Sequence, residues 1–498
     1  MSKASEIVNA LLEDIQESDA KLFHDQYGEP YIALQGNGQQ VLKLNSKDFK
    51  QWLAQECYTK FNKPLSTEAI TKVILTLSGI ATFKGDGISL HTRSTWEGDH
   101  LWYDNGKGEP AILISPGQWK VTPTYPILFR RFGHQKPQVW PVKASVSDVE
   151  LLNNYVNIKS EQQMLLFVVY TIAAFIPGFP HPLLLLHGPQ GAGKSTPMRV
   201  LKELIDPSGI HALSQPHNDK EFAQQGHHHA FLFYDNLSTL PTWFSDALAR
   251  ASTGDGISKR ALYTDDDDVF YKLQLPIGIN AISQVILKPD LLDRAILLKL
   301  SRIESEERKS EREFWANFYD DKPKILGAIY EVIAVALTIV DSVKLDKLPR
   351  MADFAKWGCA VAQAIGFEQQ DFISAYQANI DSQNDEAIYA SSVAQAIIVL
   401  MNGRNEWLGT PSELLGALTK IALEQNLETD RTWPKGPVWL TRRINEVEPN
   451  LKERNIEIDH GPTAAGRMFK LTNSHKPTVN AENTDIPDDS NSVKTVNS

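Results

Sequence analysis

The chain has 498 residues, 42% hydrophobic and 22% charged, with a formal net charge of −11. That length suits roughly two to four domains, and the acidic balance excludes a chain that is basic throughout, so any contact with nucleic acid must be local. Its cysteines, Cys57 and Cys359, stand outside any metal-ligand or redox spacing, which excludes a disulfide framework or a cysteine zinc site and points to a reducing cytoplasm.

Residues 1–18 place Ile7, Leu11, Leu12 and Ile15 at helical spacing among Glu6, Glu13 and Asp14, predicting a docking helix rather than a secretory leader. Residues 19–144 mix short alternating stretches (YIALQ, HLWYDN, AILISPGQWKV) with helical ones around 48–58 and 67–78. A separate α+β domain is expected there. The apolar run MLLFVVYTIAAFIPGF is broken by Pro177 and Gly178 and falls short of the roughly 20 residues that span a bilayer. It predicts a buried helix, and no membrane association.

Over 145–303, apolar stretches (LLLLHG, HALSQ, AFLFYD, QLPIGIN, AILLKL) alternate with helical ones, the pattern of a mostly parallel sheet covered on both faces. Residues 304–403 are helical throughout, a helical lid. Residues 404–473 run helix, helix, hairpin, the order of a winged helix. Residues 474–498 lack apolar periodicity and predict a disordered tail. The expected class is multidomain α/β.

Chemistry concentrates in the third region. HGPQGAGKST matches GxxxxGKS/T directly after a buried strand and before a helix. In a P-loop, residues Gly188, Pro189, Gln190, Gly191, Ala192, Gly193, Lys194, Ser195 and Thr196 would cradle phosphates with backbone N–H groups. Lys194 would supply a point charge to the β- and γ-phosphates and Ser195 a hydroxyl for Mg2+. Pro197 falls in the first helical turn, where a missing N–H costs little.

The strand AFLFYD supplies Asp235, positioned to hold Mg2+ through water, and is followed by Asn236 where many such enzymes carry Glu. An amide cannot take a proton from water. Phosphoryl transfer nevertheless relies mainly on positioning and charge stabilisation, so a hydrolysing enzyme is expected, with Asn236 orienting water or sensing phosphate. Asp235 itself or Asp246 would be the polarising carboxylate. His227, His228 and His229 are adjacent rather than four apart, so they read as a solvated strand entry, not a metal cluster. Asn280 ends its strand where it could orient the attacking water, and Arg294, just before another strand, suits an arginine finger crossing a subunit boundary.

The segments GPQGAGKST, YDNLS, TGDGISKRALYTDDDDVFYKLQLPIGINAI, PDLLDRA and LPRMADFAKWG together resemble AAA+ ATPases of the superfamily 3 helicase type. These include the helicase halves of phage and plasmid primase-helicases and the replication ATPases of integrative elements. The resemblance extends from about Leu101 to the winged helix. It implies an ATP- and Mg2+-dependent ring, usually a hexamer, with nucleotide between subunits, DNA in the pore, and a primase or other replication proteins as partners. It makes Asn280 sensor 1, Arg294 the finger acting in trans and Arg350 the sensor 2 arginine. Arg350 also stands at a helix start, where a cation needs an offsetting anion. No paired-carboxylate primase motif is present ahead of the ATPase.

SKRALYTDDDDVFYKL reads as a β-hairpin with Asp265 to Asp268 near its tip. The resemblance assigns Lys259, Arg260 and Lys272 to DNA, although the acidic tip would repel phosphate. Arg442 and Arg443 lie in the candidate recognition helix, interleaved with acids, which leaves DNA binding and protein docking both open. The expected function is a ring-forming, ATP-driven DNA helicase for replication of a mobile element or phage. The alternatives are a DNA-stimulated ATPase switch (initiator, loader or defence protein) and a binding module with a dead ATPase.

Overall fold

A computed structural model describes residues 3–474 except 35–39, 107, 190, 238–239, 255, 261–267, 282–288, 305, 307, 428–432 and 464–465. The expected tail, 475–498, lies outside the described residues. The chain divides into two compact units, Met1–Gln383 and Asn384–Ser498.

The first unit begins with α1 (Lys3–Glu17), β1 (Lys21–His24), β2 (Pro30–Leu34), β3 (Gln40–Lys43), α2 (Lys47–Phe61), α3 (Thr67–Phe83) and β4 (Asp86–Gly87). Ser46 and Ser66 cap α2 and α3 by accepting from the N–H three residues on, which satisfies otherwise orphaned donors. The sheet order is β3-β2-β1-β4. Leu11 and Ile15 of α1 pack with Leu53, Val73 and Leu77 in one core, so the first helix docks within its own unit.

An antiparallel meander follows: β5 (Ser94–Glu97), β6 (His100–Tyr103), β7 (Ala111–Ser115) and β8 (Gln118–Thr122). The expected separation of residues 19–144 does not hold here. Tyr103, Ile112 and Ile114 share a core with α4 (Glu161–Ala173) and the later α9 (Glu311–Ile339), and the Gly117 N–H donates to the Ala334 carbonyl at 2.8 Å. The reason is burial: both helices are apolar around most of their circumference and need the meander as cover.

The centre of the unit runs β9 (Leu183–His187), α5 (Ser195–Ile205), α6 (Asp219–His228), β10 (Leu232–Leu237), α7 (Thr242–Thr253), β11 (Gly256–Arg260), β12 (Asp268–Lys272), β13 (Ile277–Ala281), α8 (Pro289–Leu292) and β14 (Ala295–Lys299). Four of these strands form a parallel sheet in the order β10-β13-β9-β14. Leu184 and Leu186 face the core shared with α4 and α5, while Leu183 and Leu185 face Phe222 of α6 and Phe244 of α7. Burial on both faces explains why LLLL is continuous rather than alternating. HALSQ, expected as a strand, contributes a single parallel bridge, Leu213 to Tyr234; Pro216 follows at once and has no N–H for a ladder.

After β14 come α9, α10 (Ala352–Ala364) and α11 (Gln369–Ala390). Ser310 caps α9, with Glu311 and Glu313 in its first turn, which favours the positive end of the helix dipole. Residues 311–342 are long and apolar enough to cross a membrane, but Ile325, Leu326, Ile329 and Ile333 are fully buried inside the unit.

The second unit holds α12 (Ser392–Met401), β15 (Glu406–Gly409), α13 (Pro411–Glu424), α14 (Pro437–Glu453), β16 (Ile456–Thr463) and β17 (Gly466–Asn473). Its antiparallel sheet has the order β15-β17-β16, so EWLG adds a strand beside the expected hairpin. Helix α12, placed by its sequence in the lid, buries Val393, Ile397 and Met401 against Leu414 of α13 and Leu440 and Ile444 of α14. Its apolar stripe is filled by this unit.

Candidate functional site

The loop from β9 to α5 carries the glycine-rich motif. Gly188 has φ +152°, and a Cβ there would stand 2.4 Å from the Leu300 carbonyl oxygen, so only glycine lets the loop lie against the end of β14. Gly193 has φ +69° and packs against Ile303. Lys194 immediately precedes α5, and its Nζ donates to the carbonyls of Gly188 at 2.8 Å and Pro189 at 3.1 Å. Gly191, Ala192, Ser195 and Thr196 complete the turn into the helix, with Pro197 in its first turn; Gln190 lies outside the described residues.

Sheet order gathers the polar residues. Because β13 lies between β10 and β9, Asp235 and Asn280 both reach the carboxyl edge beside α5. Asp235 Oδ1 accepts from Ser195 Oγ, Asn280 Nδ2 and the Asn236 N–H, each at 3.0 Å. Asn280 is 1% exposed, and its Oδ1 has no hydrogen-bond partner among the described residues. A buried acceptor left open beside a carboxylate has capacity for one more donor, from a water or a ligand.

Asn236 is exposed and has φ +55°, at a point where the register between β10 and β13 shifts between Tyr234 and Leu237. Asparagine tolerates this left-handed backbone, whereas glutamate with its longer side chain is disfavoured there. The backbone at this position therefore favours asparagine over glutamate. Asp246 sits on the exposed face of α7.

The arginines lie elsewhere. Arg294 precedes β14, whose Ala295 pairs with Leu183 at the start of β9, so it stands at the amino edge of the sheet, about a strand length (~16 Å) from the glycine loop. Its guanidinium donates to the Ala249 carbonyl at the end of α7, at 3.0 Å. Arg350 pairs with Asp293 at 2.8 Å, and that carboxylate is the anion a cation at a helix start requires. The structure brings the two arginines to one edge and brings neither to the loop of its own chain.

His227 and His228 close α6, and His229 is buried, 3.1 Å from Lys202 Nζ. The solvated strand entry expected from sequence is therefore replaced by a packed corner: Phe132 and His134 cover His228 and His229 at ring distances of 4.1 and 4.2 Å. Burial lowers the His229 pKa. Among the described residues no cluster of three or more His, Cys, Asp or Glu side chains could hold a metal.

β11 and β12 pair antiparallel from Gly256–Lys272 to Arg260–Asp268. The side chains of Lys259, Arg260 and Lys272, and the acidic run 265–267, lie outside the described residues. In the second unit Arg442 lies over the Trp439 ring at 5.4 Å, and Arg443 pairs with Glu446 at 2.7 Å.

A cavity of about 530 Å³ opens beside Gly193 and Thr196, walled by Tyr155, Ile303, Phe314 and Trp315 and reached by Arg308 and Lys309. The sequence reading missed it. Its walls come from three distant segments, and only the KSEREFW stretch, basic then aromatic at a helix start, could have hinted at it.

Residues 149–386 match the family model described as actinomycete integrative conjugative element replication protein, and residues 393–485 match the one described as AICE RepA C-terminal domain. No curated protein matches. Among solved structures, the apo A form of the NrS-1 C-terminal region is 12% identical, with TM-score 0.42, covering 93% of this chain and 98% of that one. A second apo structure of that region gives 12%, TM-score 0.41, 95% and 99%. A JCV helicase bound to a thiazolopyridine acetamide gives 14%, TM-score 0.22, 45% and 67%. Beyond Val149 the chain is thus similar, in succession, to the two models of AICE RepA, the replication protein of actinomycete integrative conjugative elements.

Proposed function

We propose that this replication protein is an ATP-driven DNA helicase whose catalytic unit is an AAA+ P-loop core and whose C-terminal unit is a winged helix. The observation that carries the reading is the convergence of Ser195 Oγ and Asn280 Nδ2 on one oxygen of Asp235, at the carboxyl edge beside the Gly188–Lys194 loop. Strand-end acids beside a glycine loop and helix start suit a polyanion with its cation.

Mg2+ fits the donors present. Ser195 Oγ and Asp235 Oδ1 are hard oxygen ligands 3.0 Å apart, and Mg2+ is commonly held by one or two protein groups together with phosphate oxygens. When bound, it would neutralise charge on the phosphates. Lys194 would exchange the Gly188 and Pro189 carbonyls for phosphate oxygens. Asn280 Oδ1 would accept a hydrogen bond from the attacking water and hold it in line, beside the Asp235 carboxylate. Arg294 and Arg350, at the amino edge, would serve a neighbouring subunit's nucleotide, which favours action in trans within a ring, usually a hexamer. The β11–β12 hairpin would carry Lys259, Arg260 and Lys272 to single-stranded DNA, and the exposed Trp439 with Arg442 and Arg443 would contact duplex DNA or a partner such as a primase.

The test is strand displacement on a forked duplex by wild type, Lys194→Ala and Arg294→Ala, alongside ATP hydrolysis. Unwinding by wild type alone supports the helicase. Hydrolysis stimulated by DNA without any unwinding would instead establish the ATPase switch, and no hydrolysis at all would leave a binding module.

A further inference from the structure

Three cations, Arg199, Arg308 and Lys309, line the cavity beside Gly193, and the carboxylate among its lining residues, Glu311, offsets one of them. Of the basic residues lining it, Arg199 is committed, paired with Glu311 at 2.9 Å and lying 4.8 Å over the Trp315 ring. Arg308 donates to the Ile303 carbonyl at 3.4 Å, and among the described residues neither Arg308 nor Lys309 forms an ion pair, although Glu304 and Glu306 lie on the same segment.

The segment from β14 to α9 is fastened at both ends. The Ile303 N–H donates to the Gly191 carbonyl at 3.4 Å, and the Ile303 side chain fills the space that a Cβ on Gly193 would need. At the other end Glu311 holds Arg199 of α5. Arg308 and Lys309 lie between these anchors, exposed and lining the cavity together with Gly193 of the loop. Part of the lining is aromatic: the Tyr155 hydroxyl donates to Asp321 at 2.7 Å, which leaves its ring, edge-on to Phe314 at 5.5 Å, as the apolar surface.

We infer that Arg308 and Lys309 form a same-chain cationic clamp on the polyphosphate of a nucleoside triphosphate whose base lies against the aromatic wall. The inference rests on the nucleotide reading above and adds to it the cations that Arg294 and Arg350, on the far edge of the sheet, do not supply within one chain. Charge-assisted contacts of this kind strengthen with the number of phosphates engaged.

The experiment is equilibrium binding of ATP and AMP to the full chain, with Arg308→Ala/Lys309→Ala, the charge-preserving Arg308→Lys/Lys309→Arg, Lys194→Ala, and Arg302→Ala as an exposed control on the same segment. The double alanine variant is expected to weaken ATP on the order of tenfold and AMP less than about threefold, with the charge-preserving pair restoring most of the ATP affinity. Arg302→Ala should bind as wild type. Equal losses for ATP and AMP, an equal loss in Arg302→Ala, or no loss would overturn the clamp. The nucleotide reading fails separately, if wild type binds no ATP or if Lys194→Ala binds it as well as wild type.

Discussion

The two ends of α5 are built on opposite principles. At its start, Lys194, Ser195 and Asp235 form a sparse polar cluster that is partly open and leaves an acceptor unused on Asn280. At its end, Asp206 is fully buried and saturated: it accepts from Arg93 Nε at 3.1 Å, Lys202 Nζ at 2.7 Å and the Ala230 N–H at 3.0 Å. Lys202 also donates to the Phe231 carbonyl at 2.7 Å, and nearby Glu203 pairs with Lys322 and His211, each at 2.9 Å. One end keeps hydrogen-bonding capacity in reserve, and the other has none left. Substitutions at the two ends should therefore separate activity from stability.

The largest effect is expected at the closed end. Asp206→Ala would leave Arg93 and Lys202 buried without their anion, at a cost of about 3–5 kcal/mol, read as a drop in denaturant midpoint or a failure to fold. An unchanged midpoint would refute the closed-end reading. At the open end, the proposed function predicts that Lys194→Ala lowers ATP turnover on the order of 100-fold or more while moving stability by less than about 0.5 kcal/mol; a large loss of thermal stability would show that this end too is structural.

Acid should act first through the histidines. Burial pushes the pKa values of His134, His181 and His187 down to about 4 and lowers that of His229. Below pH 6.5 the unfolded chain binds protons at these rings that the folded one does not, so stability is complete above that pH and falls as the pH drops toward 4. Asp206 resists acid differently: burial raises its pKa, but Lys202 and Arg93 outweigh that and hold it well below the usual carboxylate range. Its share, present above the unfolded carboxylate pKa near 3.8, is lost only at still lower pH. Melting temperatures across pH 7 to 4 check the sign, and a flat profile would contradict it.

The smallest effect belongs to Asn236. Asn236→Glu should cost about 1–2 kcal/mol for a longer side chain in the left-handed region, and Asn236→Gly should be close to neutral. Equal melting points for both would remove the backbone explanation for the absent glutamate.

Much of the central sheet was legible because its strands are buried on both faces and announce themselves as unbroken apolar runs. The glycine loop, Asp235 and Asn280 could be located by their positions at strand ends. Other features depend on contacts distant in sequence. Nothing in HLWYDN or AILIS shows that the meander covers α9, since an amphipathic strand looks the same whichever helix it meets. The bulge at Asn236 is a property of register, invisible until β10 and β13 are paired. The apolar stripe of α12 fits a lid as well as it fits α13 and α14, and the cavity exists only once Ile303 lies on Gly193.

Helix α9 gives these local arrangements a mechanical dimension. Its 29 residues extend roughly 43 Å at the usual rise. Its first turn grips α5 through Glu311 and Arg199, its middle is pressed so closely to the chain at Val142 that Gly327 has no room for a side chain, and Ala334 is bonded to Gly117 of the meander. A helix seated at three points is held in place along its length, even though Pro323 removes one N–H from its ladder. One helix thus ties the cavity wall, the chain at Val142 and the meander into a single packed core, so a substitution along its buried face would disturb all three together.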